Sequence, residues 1–267
     1  MVREVHLDDC VRMELQYDGT GLHGWAKQDG LVTVEGCLEK AFFTVLGTAP
    51  SLCVAGRTDA GVHARRQVVS LQVPRDTDLI KLTASLNALT PSGIAITRIA
   101  RARVGFDARK DATGRGYRYL LCTDKVASPF WARYCWPVGH PLDRHLLDAA
   151  AEATLGQHDF TAFTPAETEH VFFDRTVRRC VWRRPPGEPG MLRLDIEADA
   201  FLRHMVRTLV GTMVEVAEGK RSLESFRGLL NGAGRGAAGP TAPAQGLFLW
   251  SIKYGGGNKA KEGEETR

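Results

Sequence analysis

The order of hydrophobic periodicities most restricts what this chain can fold into. It runs strand, helix, strand, strand, helix, strand, and then runs through a similar order again. Residues 11–17 alternate apolar and polar like a half-buried strand, and Gly19, Gly21 and Gly24 mark the loop after it. Thr33 suits the N-cap of a helix reaching Leu46 with Gly47 as its stop, and Val34, Cys37, Leu38, Ala41, Phe42 and Val45 form its apolar stripe. Strands follow near 51–54 and 67–73, then a helix over about 78–89 with Pro91 beyond it, and a strand at 94–99.

In the second run, residues 115–122 read as a strand. Residues 143–155 read as a helix with Asp143 as N-cap and Gly156 after it. Strands at 175–183 and 191–198 flank a Pro- and Gly-rich turn, helices cover 201–217 and 223–230, and a last strand covers 247–254. Each run has the ferredoxin-like order, so the expected class is α+β with two halves, residues 1–110 and 111–254, although the halves share no sequence identity. The stretch 232–239 reads as a mobile glycine-rich loop, and residues 255–267, glycine-rich and then charged, as a disordered tail.

Composition, 43% hydrophobic and 25% charged, belongs to an ordinary soluble protein. No run of about 18 apolar residues exists to span a membrane, and the start of the chain has no apolar leader segment. The six cysteines form no C-x-x-C pair, so they read as buried free thiols in a reducing cytoplasm rather than zinc ligands. A net charge of +4 is weak evidence for nucleic acid, but its distribution is uneven. Arg98, Arg101, Arg103, Arg109, Lys110, Arg115 and Arg118 meet only Asp107 and Asp111 in their stretch, and Arg175, Arg178, Arg179, Arg183 and Arg184 form a second cluster. Such clusters are either solvated strand faces or a phosphate track.

The segment Gly56-Arg57-Thr58-Asp59-Ala60-Gly61-Val62-His63 follows a strand and turns tightly, which presents side chains at a rim. Taken alone, an R-x-D-x-G turn is more often a local Asx-type turn than a site. An RNA-modifying enzyme, however, needs a carboxylate nucleophile kept ionised by a cation, together with an aromatic platform for a base drawn out of its stack. Candidates for each part are present. They are Asp59; Tyr117 and Tyr119 in Arg115-Gly116-Tyr117-Arg118-Tyr119; and Arg203, His204 and Arg207 on the polar side of the 201–217 helix. His63 has no neighbouring ligand pattern, so no metal is expected. A zinc deaminase is disfavoured because its P-C-x-x-C pattern is missing.

Ordered blocks over nearly the whole chain make these signals specific. Tyr17-Asp18-Gly19-Thr20-Gly21-Leu22-His23-Gly24-Trp25, Thr33-Val34-Glu35-Gly36, the Asp59 segment, Asn87-Ala88-Leu89 and Phe106-Asp107-Ala108-Arg109 come first. Tyr117-Arg118-Tyr119, His158-Asp159-Phe160-Thr161-Ala162-Phe163, Phe201-Leu202-Arg203-His204-Met205-Val206-Arg207 and Ala242-Pro243-Ala244-Gln245-Gly246-Leu247-Phe248-Leu249 follow in order. In these blocks the chain resembles the tRNA pseudouridine synthase A family.

The resemblance implies two ferredoxin-like halves sharing a continuous, mainly antiparallel sheet, with helices on one side and a basic cleft. It implies isomerisation of uridine to pseudouridine at nucleotides 38, 39 and 40 in the tRNA anticodon stem-loop, without cofactor or metal, by a cytoplasmic homodimer across which tRNA lies. Carried onto matching positions, Asp59 is the nucleophile, Arg207 its cationic partner and Tyr117 the residue that stacks on the target base and serves in proton transfer. Arg57 assists base flipping and Leu247 lines the uracil pocket. The candidate substrate-binding set is Arg57, Tyr117, Leu247, His63, Arg203 and His204. Two positions depart from the family pattern: Ala26 stands where glutamine is frequent, and Gly116 where larger residues are common. The alternative reading is a non-catalytic tRNA-binding protein or folding chaperone on the same scaffold.

Overall fold

A computed structural model describes residues 7–168 and 171–255. The first half comprises β1 (Leu7–Tyr17), α1 (Val34–Leu46), β2 (Cys53–Val54), β3 (His63–Pro74), α2 (Leu79–Leu89) and β4 (Ile94–Arg101). The second comprises β5 (Ala112–Cys122), β6 (Trp136–Pro137), α3 (Arg144–Ala153), β7 (Gly156–Asp159), β8 (Asp174–Arg183), β9 (Met191–Ala198), α4 (Met205–Ala217), α5 (Leu223–Gly228) and β10 (Leu247–Tyr254). The expected tail lies outside the described residues from position 256 onward.

Local chemistry sets most of the helix ends. The Thr33 side chain accepts from Gly36 N–H at the start of α1, and Gly47 closes it with φ 74°. Asp78 and Asp143 each accept two backbone N–H groups at the starts of α2 and α3. A glycine takes the left-handed region at no steric cost, and short polar side chains satisfy helix donors that have no partner within the helix.

The sheet runs β4-β1-β3-β10-β5-β9-β8-β7, with β2 also on β3 and β6 on β5. Each half therefore has the ferredoxin-like arrangement, β4-β1-β3-β2 and β10-β5-β9-β8, in one mainly antiparallel sheet. The halves join through a short parallel pairing of β3 with β10, Phe248 opposite His63 and Leu249 opposite Ala64. Further along the same edge, β3 pairs with β2 through Ser70 and Val69. The connection 55–62 must run past the edge left open between these two pairings, so the topology places Asp59 at the seam.

Register carries one face across that seam. Tyr17 lies opposite Ala64, Ala64 opposite Leu249, and Leu249 opposite Tyr117. On this face Val34, Leu38 and Phe42 of α1 join the core of Val11, Met13 and Leu15. Met205, Leu209 and Met213 of α4 join that of Tyr119, Leu194 and Ile196. Burying these side chains, each worth roughly 1.5–3 kcal/mol, holds the helices to the sheet. Tyr117 packs against both cores.

Several expectations need correction. The helix expected over 201–217 begins only at Met205, because His204 adopts φ 61°, ψ −2°, in which a right-handed helix cannot continue. Arg203 and His204 thus precede α4 rather than lie on its polar side. The glycine-rich stretch 232–239 contains a 3-10 turn at Arg235–Ala237 and is tied down at its end. Gly239 N–H donates to Thr212 Oγ1 at 3.1 Å, Ala242 N–H donates to Arg207 O at 3.1 Å, and Gly211 leaves room for the Pro240 carbonyl. Cys122, Cys135 and Cys180 are buried, whereas Cys10, Cys37 and Cys53 are only partly so; all six are free. Among the described residues no helix is long and apolar enough to cross a membrane.

Candidate active site

The loop bearing Asp59 is held by the N-terminal glycine block. Trp25 N–H donates to Thr58 O at 3.0 Å, and Gly61 N–H to Leu22 O at 3.1 Å. Gly24, at φ +87°, packs so closely that a Cβ there would lie 2.8 Å from Thr58 O and 3.1 Å from Ala60 N. Gly19 meets the Val62 carbonyl in the same way. Below the loop, the buried Tyr17 hydroxyl pairs with Thr58 Oγ1 at 2.8 Å. Gln67, also buried, donates to Tyr17 Oη at 3.1 Å and to Gly56 O at 2.7 Å. Burial pushes the Tyr17 phenol up to about 12, so this network stays neutral.

Asp59 Oδ2 lies 3.1 Å from Arg207 Nη1 and 3.4 Å from His204 Nε2. Arg207 Nε donates to Ala242 O at 2.8 Å, which fixes the guanidinium plane. The carboxylate comes from the first half and both nitrogens from the second, so the site exists only when the halves are joined. Tyr117 projects from β5 on the same face as Tyr119, with its ring edge-on to Phe201 at 5.1 Å. Burial, then the neighbouring Tyr17 and Asp59, raise its phenol far above the ordinary tyrosine range. Among the described residues its hydroxyl has no hydrogen-bond partner.

The other candidates divide. Leu247 is buried at the start of β10, opposite Tyr119 and on the face of Tyr117. Arg57 and Arg203 are exposed beside the site, and among the described residues neither has an ion-pair partner. His63 is 2% exposed. Its Nδ1 accepts from Gly19 N–H at 2.9 Å and lies 3.0 Å from Asp18 Oδ1, while Nε2 reaches Gln245 O at 3.1 Å. Its ring stacks on Phe248 at 4.6 Å. Burial lowers its pKa, while the neighbouring Asp18 carboxylate opposes the shift. His63 is thus a strut joining the glycine block to the approach of β10, and its ring contacts include none of Asp59, Arg207 or Tyr117.

Much of the expected phosphate track is occupied within the fold. Arg115 donates to the carbonyls of Ala112, Asp199, Ala55 and Arg109, stapling both halves to the Asp59 loop. Arg118 lies over the Trp250 ring at 3.6 Å and donates to Asp195, as Arg193 does, while Arg179 stands 3.8 Å from that carboxylate. Arg178 bonds Thr113 O and Arg175 bonds Phe172 O. The inward phase of Arg115 was available from its spacing, two residues before Tyr117 and four before Tyr119 on one strand. Gln67 and the carbonyls of 240–243 carried no such signal. Gly116 has a local reason for its size, since a Cβ would meet Ser251 Oγ at 2.5 Å. Among the described residues there is no cluster of three or more His, Cys, Asp or Glu able to hold a metal ion.

A ferredoxin-like pair sharing one carboxylate–arginine contact across its seam is the architecture to be compared with known proteins. A family model described as tRNA pseudouridine synthase matches residues 150–255, which contain Arg207 but not Asp59. Among curated proteins, tRNA pseudouridine synthase A of Myxococcus xanthus is 36% identical over 251 residues, 94% of each chain. That of Neisseria meningitidis serogroup C is 38% identical, covering 90% of each chain. That of Solidesulfovibrio magneticus is 40% identical, covering 92% of this chain and 91% of its own. The chain belongs to the tRNA pseudouridine synthase A family.

Proposed function

We propose that this protein isomerises uridine to pseudouridine at nucleotides 38, 39 and 40 in the anticodon stem-loop of tRNA, with Asp59 as nucleophile. The observation that carries this reading is the Asp59–Arg207 pair at 3.1 Å, formed across the seam and flanked by Tyr117. The reaction is redox-neutral. The N1–C1′ bond breaks, a C5–C1′ bond forms, a proton leaves C5 and a proton is gained at N1, so no external oxidant or reductant is required. A carboxylate can hold the detached fragment covalently while the base turns. Arg207 pairs with the Asp59 carboxylate at 3.1 Å and holds it in place at the seam.

Tyr117 offers its ring to the flipped uracil. Its phenol is protonated at neutral pH, so it enters the reaction as a proton donor. Leu247 supplies an apolar wall for the uracil. Arg57, exposed and without an ion-pair partner among the described residues, would hold the space vacated by the base, and Arg203 would meet a phosphate. A homodimer across which tRNA lies, and a cytoplasmic location, belong to the same proposal.

The direct test is to incubate the purified protein with unmodified tRNA transcript and map pseudouridine. Product at nucleotides 38–40 is expected without added metal or cofactor. Binding without product would return the protein to the tRNA-binding or chaperone reading. Tyr117→Phe keeps the ring and removes the hydroxyl, so tRNA affinity should stay within about twofold while the single-turnover rate falls by about 10²-fold. Equal loss in affinity and rate would argue for a binding role of the hydroxyl instead.

A further inference from the structure

His204 is the only non-glycine residue with a positive φ among the described residues. A side chain bearing a Cβ is crowded in that left-handed region, whereas glycine is not. The position is also the N-cap of α4, yet His204 makes no side-chain capping hydrogen bond. Two local preferences are therefore overridden at one residue. The neighbours explain how: Leu202 and Met205 are both buried in the core, and the left-handed residue between them turns its own side chain out of that core toward the seam. What the turn accomplishes is a single placement, the imidazole Nε2 at 3.4 Å from Asp59 Oδ2.

Arg207 approaches that same oxygen, at 3.1 Å. A carboxylate held by one donor can still swing about its Cβ–Cγ bond, whereas a ring standing against the same oxygen from a different backbone position narrows the room for that swing. We infer that His204 is a positioning residue for the nucleophile: its strained backbone holds the imidazole against Oδ2 of Asp59, so that Oδ1 is presented to uridine. The inference rests on the proposed role of Asp59.

The charge state matters to this role. The groups facing the imidazole are Asp59 from the 55–62 loop, Arg207 from α4, Arg203 from its own segment and Arg235 from the 3-10 turn. Burial lowers the pKa of His204 below the ordinary histidine value; Asp59 opposes this, and the three arginines reinforce it. A neutral ring near pH 7 braces the carboxylate without setting a second full charge on it. Protonation on acidification would bind the carboxylate as a second cation and blunt it. Activity governed this way is fully present above the lowered histidine pKa and is lost as pH falls through it.

The test uses the full chain with His204→Ala, His204→Gly and His204→Asn. Single-turnover rate, tRNA affinity and thermal unfolding are measured from about pH 5.5 to 8.5, the histidine range. Glycine relieves the backbone and should melt above the alanine variant, yet both should lose roughly tenfold in rate with affinity unchanged. Asparagine tolerates the left-handed region and keeps an uncharged polar side chain beside Asp59, so it should recover most of the rate and lose the acidic decline shown by wild type. A glycine variant with the wild-type rate would overturn the inference, since the backbone alone would then matter. Loss confined to affinity would overturn it by making His204 an RNA contact, and an unchanged acid limb in the asparagine variant would overturn it as well. Independently of activity, the Asp59 carboxyl ¹³C shift should carry a second inflection from His204 in wild type and lack it in His204→Asn. Absence of that inflection in wild type would refute the contact, whereas absence of pseudouridine in wild type would refute the function.

Discussion

Replacing Asp59 with alanine is expected to lower pseudouridine formation by at least about 10³-fold while tRNA continues to bind. The expectation follows from the lack of a substitute. The other carboxylates near the seam are engaged elsewhere: Asp18 accepts from Tyr134 and from Thr20 N–H, and Asp199 from the N–H groups of Thr176 and Ala200. The fold should survive, because Arg207 keeps its bond to Ala242 O and a partly exposed ion pair contributes only about 1 kcal/mol. Asp59→Asn keeps the shape and removes the charge, and it should be equally inactive. Quantifying pseudouridine after single-turnover incubation decides the matter, with a filter-binding measurement beside it. An alanine variant within tenfold of wild type would remove Asp59 from the role of nucleophile.

A large structural effect is expected from Gly24→Ala. Two costs add there. The residue sits at φ +87°, and the new methyl would lie 2.8 Å from Thr58 O and 3.1 Å from Ala60 N. The left-handed conformation costs about 1–2 kcal/mol for a residue with a Cβ, and overpacking against the backbone a further 1–3 kcal/mol or so. Since the obstructing atoms belong to the Asp59 loop, relief by movement displaces Asp59, and a shift near 1 Å in a catalytic group can cost about 10²-fold in rate. Gly30→Ala separates the two costs, because Gly30 has φ +73° but nothing within 4 Å of the added carbon. Denaturant unfolding should show Gly24→Ala less stable by about 3 kcal/mol or more, and Gly30→Ala by only about 1–2 kcal/mol. Equal destabilisation would mean that the glycine block does not brace the loop.

The parts of this fold that were legible beforehand are those set by neighbouring residues. Thr33 and Gly47 bound α1 because a side-chain oxygen and a missing Cβ act within one turn. Asp143 and the alternation of β5 worked for the same reason. Helix α4 shows the limit: its apolar period runs through Phe201 and Leu202, yet the helix starts at Met205, because His204 takes a left-handed backbone that a helix cannot continue through. The arginine clusters were ambiguous in sequence because charge does not reveal its partner. Arg115 proved to be satisfied by four carbonyls and Arg118 by Asp195 and Trp250, whereas Arg183 and Arg184 are exposed. The glycine-rich stretch 232–239 looked loose, since glycine permits mobility, but here two glycines give room for backbone lying against α4.

By itself, the order of periodicities determined two ferredoxin-like halves, and the ordered blocks determined the family and singled out Asp59, Tyr117 and Arg207. These are properties of residue type and short spacing, written in the chain before it folds. Only the tertiary structure decided that Asp59 and Arg207, 148 positions apart, stand 3.1 Å from each other, that His63 is a strut, and that His204 takes a left-handed backbone beside Asp59. Such relations depend on how β3 and β10 join the two halves and on which buried groups must be satisfied there, and no local spacing encodes either.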